Sequence, residues 1–117
     1  MIRTMLKSKI AHARVTDANL YYEGSITIDE TLLEAADILP GEKVEVLNVN
    51  NGSRIETYAI SGKKNSGVIC LNGPSARSAN RGDELIILSY AQIEERFVKG
   101  SKAKIINIGA KNKIKKS

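Results

Sequence analysis

A chain of 117 residues, 42% hydrophobic and 26% charged, has room for one domain with an ordinary globular core. With no Trp, one Phe and four Tyr, that core must be aliphatic, and so small a domain gains from assembling with its own copies. The net charge of +5 admits nucleic acid or a small anion as partner, but much of it lies in Lys111, Lys113, Lys115 and Lys116. The stretch from about 110 to 117 therefore reads as a flexible basic tail on a nearly neutral body.

Single residues exclude whole chemistries. Cys70 is the only cysteine, so an internal disulfide and a cysteine-built metal site are both ruled out. It sits in the apolar run Val68-Ile69-Cys70-Leu71, where a buried, inert thiol is expected. His12 is the only histidine, which excludes a multi-histidine metal site. Arg3, Lys7 and Lys9 interrupt the first ten residues, so no signal-peptide core is present, and no apolar stretch reaches membrane-spanning length. A soluble, cytoplasmic protein is expected.

Along the chain, Met5 to Val15 is extended in character, and Ile26-Thr27-Ile28 is a short alternating strand after the Gly24-Ser25 interruption. Asp29 to Leu39 is the best helix: Asp29 caps it, Leu32, Leu33, Ala36 and Leu39 form an apolar stripe, and Pro40-Gly41 ends it. Val44 to Val49 alternates as a strand with Val44, Val46 and Asn48 on one face. Asn51-Gly52 signals a hairpin returning through Arg54 to Ile60. Further strands are expected over Val68 to Leu71, stopped at Asn72-Gly73-Pro74, over Glu84 to Ser89, and over Lys104 to Ile108. Many short strands with one or two short helices predict a single mainly-β domain over residues 1–117, closed as a barrel.

The usual catalytic constellations are absent: no phosphate-binding glycine loop, zinc spacing or paired-carboxylate motif occurs. A reactive group must then come from somewhere else, and Tyr22-Glu23-Gly24-Ser25 is the place to look. A serine hydroxyl can attack the carbonyl before it, converting amide to ester. Elimination then leaves a dehydroalanine, and hydrolysis of that yields a pyruvoyl cap and ammonia. Gly24 offers the backbone freedom the attack needs. Gly-Ser alone is a commonplace turn dipeptide, so the neighbours must carry the assignment.

They do so through a resemblance. Met1 to Ile10, Val15-Thr16-Asp17-Ala18, Tyr22 to Asp29, Val49 to Arg54, Thr57-Tyr58, Asn72-Gly73 and Gly82-Asp83 together resemble the bacterial aspartate 1-decarboxylases over about the first 95 residues. The resemblance implies a six-stranded double-psi β-barrel assembled as a homotetramer. It implies conversion of L-aspartate to β-alanine and CO2 for pantothenate and coenzyme A synthesis. It further implies autocatalytic cleavage into residues 1–24 and 25–117, which some family members complete only with a maturation factor.

Site roles follow from the same resemblance. Ser25 becomes the pyruvoyl group, on which the substrate amine forms a Schiff base, and Gly24 ends the released chain. Tyr58 matches the proton donor, and Arg54 and Lys9 match groups that hold a substrate carboxylate. Thr57 matches a residue serving both substrate contact and self-processing. Asn72 matches a processing residue, and Gly73-Pro74-Ser75 aligns with a substrate-contacting loop. Arg54 suits the retained carboxylate, because a planar guanidinium clamps carboxylates well and tight pairing of the departing one would raise the barrier.

Two departures stand out. The family commonly places a histidine directly after the Lys9-Ile10 pair, where this chain has Ala11 and then His12. Its loop more often reads Gly-Ala-Ala, and Pro74 has no backbone N–H to donate. Strand alternation sets Arg54 and Tyr58 on one face about 13 Å apart and Thr57 on the other, which a bulge or a site at a subunit boundary would reconcile. The alternative reading is a small basic β-barrel that binds nucleic acid through Arg77, Arg81 and Lys102 to Lys104. Against it, aromatic residues for base stacking are lacking.

Overall fold

The computed structural model describes residues 1–20 and 24–115. Eight strands occur among them: β1 (Ile2–Arg14), β2 (Asp17–Asn19), β3 (Ser25–Asp29), β4 (Lys43–Asn48), β5 (Arg54–Gly62), β6 (Ile69–Asn72), β7 (Glu84–Glu94) and β8 (Lys104–Asn107). They hydrogen-bond in the order β2-β6-β3-β5-β4-β7-β1-β8. Only Val15 and Thr16 separate β1 from β2, yet the two strands stand near opposite ends of that order. The sheet is therefore closed by the chain itself. Val15 N–H donates to Asp83 on the β7 side at 2.9 Å, and Thr16 N–H donates to Ile69 of β6 at 2.8 Å. Counting β1 and β2 as one stave gives a mainly-β barrel of six staves, with β8 added in parallel along β1.

Inward residues are mostly β-branched, as a pleated wall prefers: Ile10, Val15, Ile26, Ile28, Val44, Val46, Ile69 and Ile87 are at most 2% exposed. Asn48 joins Val44 and Val46 inside, as the alternation predicts. Two bulges bend β1, between Leu6 and Ser8 and between Ile10 and Ala13. The second carries His12 in the left-handed region (φ 68°), its ring Nδ1 2.9 Å from Glu84 Oε2. Both β1 and β7 run longer than expected. Beyond Leu88, β7 pairs with β1 alone, so Ile2–Leu6 and Tyr90–Glu94 form a two-stranded arm. A short helix α2 (Glu95–Val98) follows it.

Helix α1 (Glu30–Ala36) buries Leu32, Leu33 and Ala36 on the barrel and is shorter than its apolar stripe suggests. Asp37 stops it in the left-handed region (φ 56°), three residues before Pro40, and Ile38 N–H closes back on Leu33 O at 2.9 Å. Leu39, which precedes a proline and is disfavoured from helical geometry, leaves the stripe and is 65% exposed. The basic tail is likewise not loose as far as Lys115. Asn112 is buried and donates its amide to Arg14 O and Gly67 O, each at 2.8 Å, while Ile114 pairs with Ile108. Three hydrogen bonds to the barrel, one buried and two partly buried, outweigh the solvation of the flanking lysines, counting the Arg14 N–H that Asn112 Oδ1 accepts.

Asp29 ties the end of β3 to the loop before β6. Its carboxylate accepts from Thr31 N–H (2.8 Å), Asn65 N–H (2.9 Å) and Gly67 N–H (2.8 Å). Burial alone would raise this carboxyl, but the three donors prevail and hold it below its ordinary value of 3.8. A depressed folded-state pKa contributes stability that is present above the unfolded value and lost as pH falls through the folded one. Asp29→Ala is expected to destabilise the protein by roughly 2–4 kcal/mol at neutral pH. Urea titrations at pH 7 and pH 3 should show that penalty shrinking with acid; an equal penalty at both would refute the assignment.

Candidate active site

Alternation decides where Ser25 points. Ile26 and Ile28 face the core, so Ser25 and Thr27 share the outer face of the wall. Ile69 and Leu71 of β6 point inward, which turns Cys70 and Asn72 outward. The antiparallel register sets Ser25 opposite Asn72 and Thr27 opposite Cys70. Four polar side chains thus share one outer patch.

Its Ser25–Asn72 end is nevertheless closed to solvent, with Ser25 0% and Asn72 3% exposed, while Thr27 and Cys70 are half-buried. The chain leaving β6 folds back over β3, β5 and β6 as a 3-10 turn, Gly73–Ser78, where the sequence suggests only a strand stop. Gly73 makes the reversal in the left-handed region (φ 61°) directly after extended Asn72. The Pro74 ring then lies against Gly24, its Cδ 3.5 Å from where a side chain on that glycine would begin. Ser78 anchors the far end. Its carbonyl accepts from Asn48 Nδ2 (3.1 Å), Asn51 Nδ2 (2.9 Å) and Ser53 Oγ (3.2 Å). The Asn51-Gly52 hairpin therefore also fixes the cover over Ser25.

Inside the patch, Asn72 Nδ2 donates to Ser25 Oγ at 3.0 Å and to Thr27 Oγ1 at 2.9 Å. The Cys70 thiol donates to Asn72 Oδ1 at 3.3 Å. Burial and the Asp17 carboxylate raise the thiol pKa, so it stays protonated at neutral pH. Cys70 is only half-buried and faces the polar patch, not the core that its apolar run suggests. It and Thr27 are the site neighbours that sequence reasoning missed. The period-2 pattern shared with Asn72 and Ser25 was the available signal.

Tyr58 precedes Ala59, which pairs in parallel with Ile26, so Tyr58 is level with Ser25 and on the same outer face, 38% exposed. Thr57 has the opposite parity and turns with Ala59 toward the interior. The β4–β5 register runs unbroken from Arg54 to Tyr58, so no bulge brings Thr57 round. Arg54 lies four residues from Tyr58, about 13 Å along the strand. Its side chain is 57% exposed and ion-paired with Glu45, which also accepts from Tyr90 Oη at 3.5 Å. Lys9 pairs with Leu88 and Ile105, on a strand that does not border β3.

One chain therefore gathers Ser25, Asn72, Tyr58 and the Gly73-Pro74-Ser75 turn, and leaves Arg54, Lys9 and Thr57 apart. Tyr22 and Glu23 of the sequence motif lie outside the described residues. Among the described residues, no three His, Cys, Asp or Glu side chains are grouped to hold a metal ion.

Comparison with known proteins gives one answer. Residues 1–115 match the family model described as aspartate decarboxylase. The chain is similar to the aspartate 1-decarboxylase of Thermoanaerobacter pseudethanolicus, 57% identical over 113 residues and covering 97% of each chain. It is 56% identical to that of Syntrophus aciditrophicus over 98% of this chain and 99% of the relative. The figure is 52% for that of Neisseria meningitidis, over 98% and 91%. Among solved structures, the rationally designed mkDPBB_sym_86 protein superposes with a TM-score of 0.48 at 14% identity, covering 68% of this chain and 91% of that one.

The left-handed Gly73 makes a direct prediction. Gly73→Ala should cost about 1–2 kcal/mol of stability, because an L side chain is strained there. Denaturant midpoints against wild type measure it, and an unchanged midpoint would mean that the turn does not depend on glycine.

Proposed function

This chain belongs to the aspartate decarboxylase family, and from that premise we propose that its decarboxylation of aspartate to β-alanine depends on a pyruvoyl group made from Ser25. The observation that carries this reading is the buried Asn72 amide donating to Ser25 Oγ at 3.0 Å, beside Gly24. A buried hydroxyl needs a partner in any fold, but an amide N–H aimed at Oγ is the kind of partner that an oxygen about to gain negative charge requires. When formed, the pyruvoyl group supplies a ketone conjugated to an amide carbonyl, a sink for the electrons that a departing carboxylate leaves behind.

The chain's own residues divide the remaining work. The Tyr58 hydroxyl, level with Ser25, is the proton donor to the carbon that loses its carboxylate. Arg54 clamps the retained carboxylate, with Lys9 assisting, and its present partner Glu45 is displaced in favour of substrate. Gly73 and Ser75 border the substrate through the covering turn, where Pro74 contributes shape and a carbonyl but no donor. Asn72 serves self-processing, whereas the interior-facing Thr57 is given neither the processing nor the substrate role that the resemblance implies.

Arg54 and Lys9 stand on strand positions apart from Ser25, and a neighbouring subunit that brought its own copies to that site would complete it, which supports an assembly, proposed as a homotetramer. The two-stranded arm points the same way. A free ribbon is marginal in water, and its neighbourhood exposes Ile2 (61%), Tyr90 (45%) and Phe97 (57%). Among the described residues no helix is long and apolar enough to cross a membrane, and the cytoplasm is the proposed compartment. The nucleic-acid reading gives way to the family assignment.

An intact-mass spectrum of the purified, aged protein tests the central claim. Two chains, 1–24 and 25–117, are expected, the larger roughly 17 Da lighter than a serine-initiated chain. Ser25→Ala should stay whole at about 12.7 kDa and inactive. A wild-type chain that remained uncut after warming and after co-expression with host factors would end the pyruvoyl reading. For the shared site, co-expressing the inactive variants Ser25→Ala and Arg54→Ala should restore part of the aspartate decarboxylase activity in mixed oligomers. No recovery in verified mixed oligomers would place both residues in one subunit's site.

A further inference from the structure

The outer patch has a direction that its individual hydrogen bonds do not reveal. The backbone N–H of Asn19 faces the Cys70 sulfur, the thiol donates to Asn72 Oδ1 at 3.3 Å, and Asn72 Nδ2 donates to Ser25 Oγ and Thr27 Oγ1. The thiol's other acceptor, Leu71 O, is farther at 3.9 Å, so the nearer contacts run toward Ser25. Ser25 and Thr27 do not themselves fix the Asn72 amide, because a hydroxyl can donate or accept and would satisfy either face. The Cys70 sulfur already faces the Asn19 N–H and is a weak acceptor, so what position 70 offers Asn72 is its proton. Turning the amide by 180° would set its NH2 against the S–H and leave the buried carbonyl facing the hydroxyls.

We propose that Cys70 is a positioning residue for the self-cleavage, holding the Asn72 amide with its N–H toward Ser25 Oγ. The proposal rests on the pyruvoyl reading above and deepens it. In the first step Oγ bonds to the Gly24 carbonyl carbon, the Gly24–Ser25 C–N bond breaks, and the Oγ proton ends on the Ser25 nitrogen. In the second the Ser25 Cα proton is lost, the Cβ–Oγ bond breaks, and Gly24 departs as a carboxylate carrying that same oxygen. Water then replaces the nitrogen, which leaves as ammonia, and its oxygen becomes the ketone. Negative charge builds on Oγ as its proton is withdrawn for the attack, passes to the Gly24 carbonyl oxygen in the tetrahedral intermediate, and returns to Oγ as the Cβ–Oγ bond breaks, so a correctly turned N–H assists the deprotonation and the elimination. A flipped amide would present a carbonyl there and repel the charge. Cys70 acts only through Asn72 and touches no reacting atom.

The test follows cleavage of freshly purified precursor by intact mass for wild type, Cys70→Ser and Cys70→Ala. The isosteric pair Cys70→Thr and Cys70→Val repeats the comparison at equal volume. Melting temperatures are taken in a Ser25→Ala background, where every chain stays whole. Variants without a donor should cleave roughly tenfold more slowly. The hydroxyl variants should stay within about threefold of wild type, with melting temperatures alike across the series. Wild-type rates in Cys70→Ala and Cys70→Val would overturn the proposal, as would hydroxyl variants as slow as those two. A wild-type precursor that never cuts would sink the pyruvoyl reading and this one with it, whereas normal cutting in all five chains sinks this one alone.

Discussion

The barrel depends on one stretch of chain serving two edges. β1 gives its hydrogen bonds to β7, and two residues later the same stave gives them to β6, with Val15 and Thr16 turning their N–H groups to opposite neighbours. Without that hand-off the order β2-β6-β3-β5-β4-β7-β1 would be an open sheet with long unpaired edges. Closure places β3 between a parallel partner, β5, and an antiparallel one, β6. Tyr58 comes level with Ser25 through the first and Asn72 through the second. The reactive end of β3 is thus set from both sides by backbone pairing, before any side-chain contact is counted.

A second layer converts an outer face into a buried one. The barrel interior is apolar, and a polar cluster placed there would suffer desolvation without room for a substrate. Ser25, Thr27, Cys70 and Asn72 instead stand on the outside, and the Gly73–Ser78 turn, whose last carbonyl takes three donors from the β4–β5 hairpin region, covers the Ser25–Asn72 end. Low dielectric there strengthens the Asn72–Ser25 interaction, while Arg54 stays largely in solvent, paired with Glu45.

Legibility differed by the range of the interaction. Asp29 as a helix cap, the inward row Val44, Val46 and Asn48, and the Asn51-Gly52 hairpin were readable because each rests on neighbours within a few residues. The helix end was misjudged because a left-handed Asp37 is a less common stop than the Pro40-Gly41 pair beyond it. Residues 110–115 read as a loose tail because their lysines dominate the composition. What docks them is one uncharged residue, Asn112, whose partners Arg14 and Gly67 are remote in sequence.

The sequence by itself determined the chemistry on offer: the Gly24-Ser25 bond, the residue types around it, the aliphatic strand pattern, and a family likeness strong enough to name the reaction. Those are properties of residue identity and short spacing. Only the tertiary structure decided that Cys70 faces Asn72 and not the core, that Pro74 lies against Gly24, and that Lys9 and Arg54 stand away from Ser25 in one chain. Each of those follows from strand register and barrel closure, which bring together or separate residues dozens of positions apart. No local pattern encodes such distances, because register is chosen by the packing of the whole wall at once.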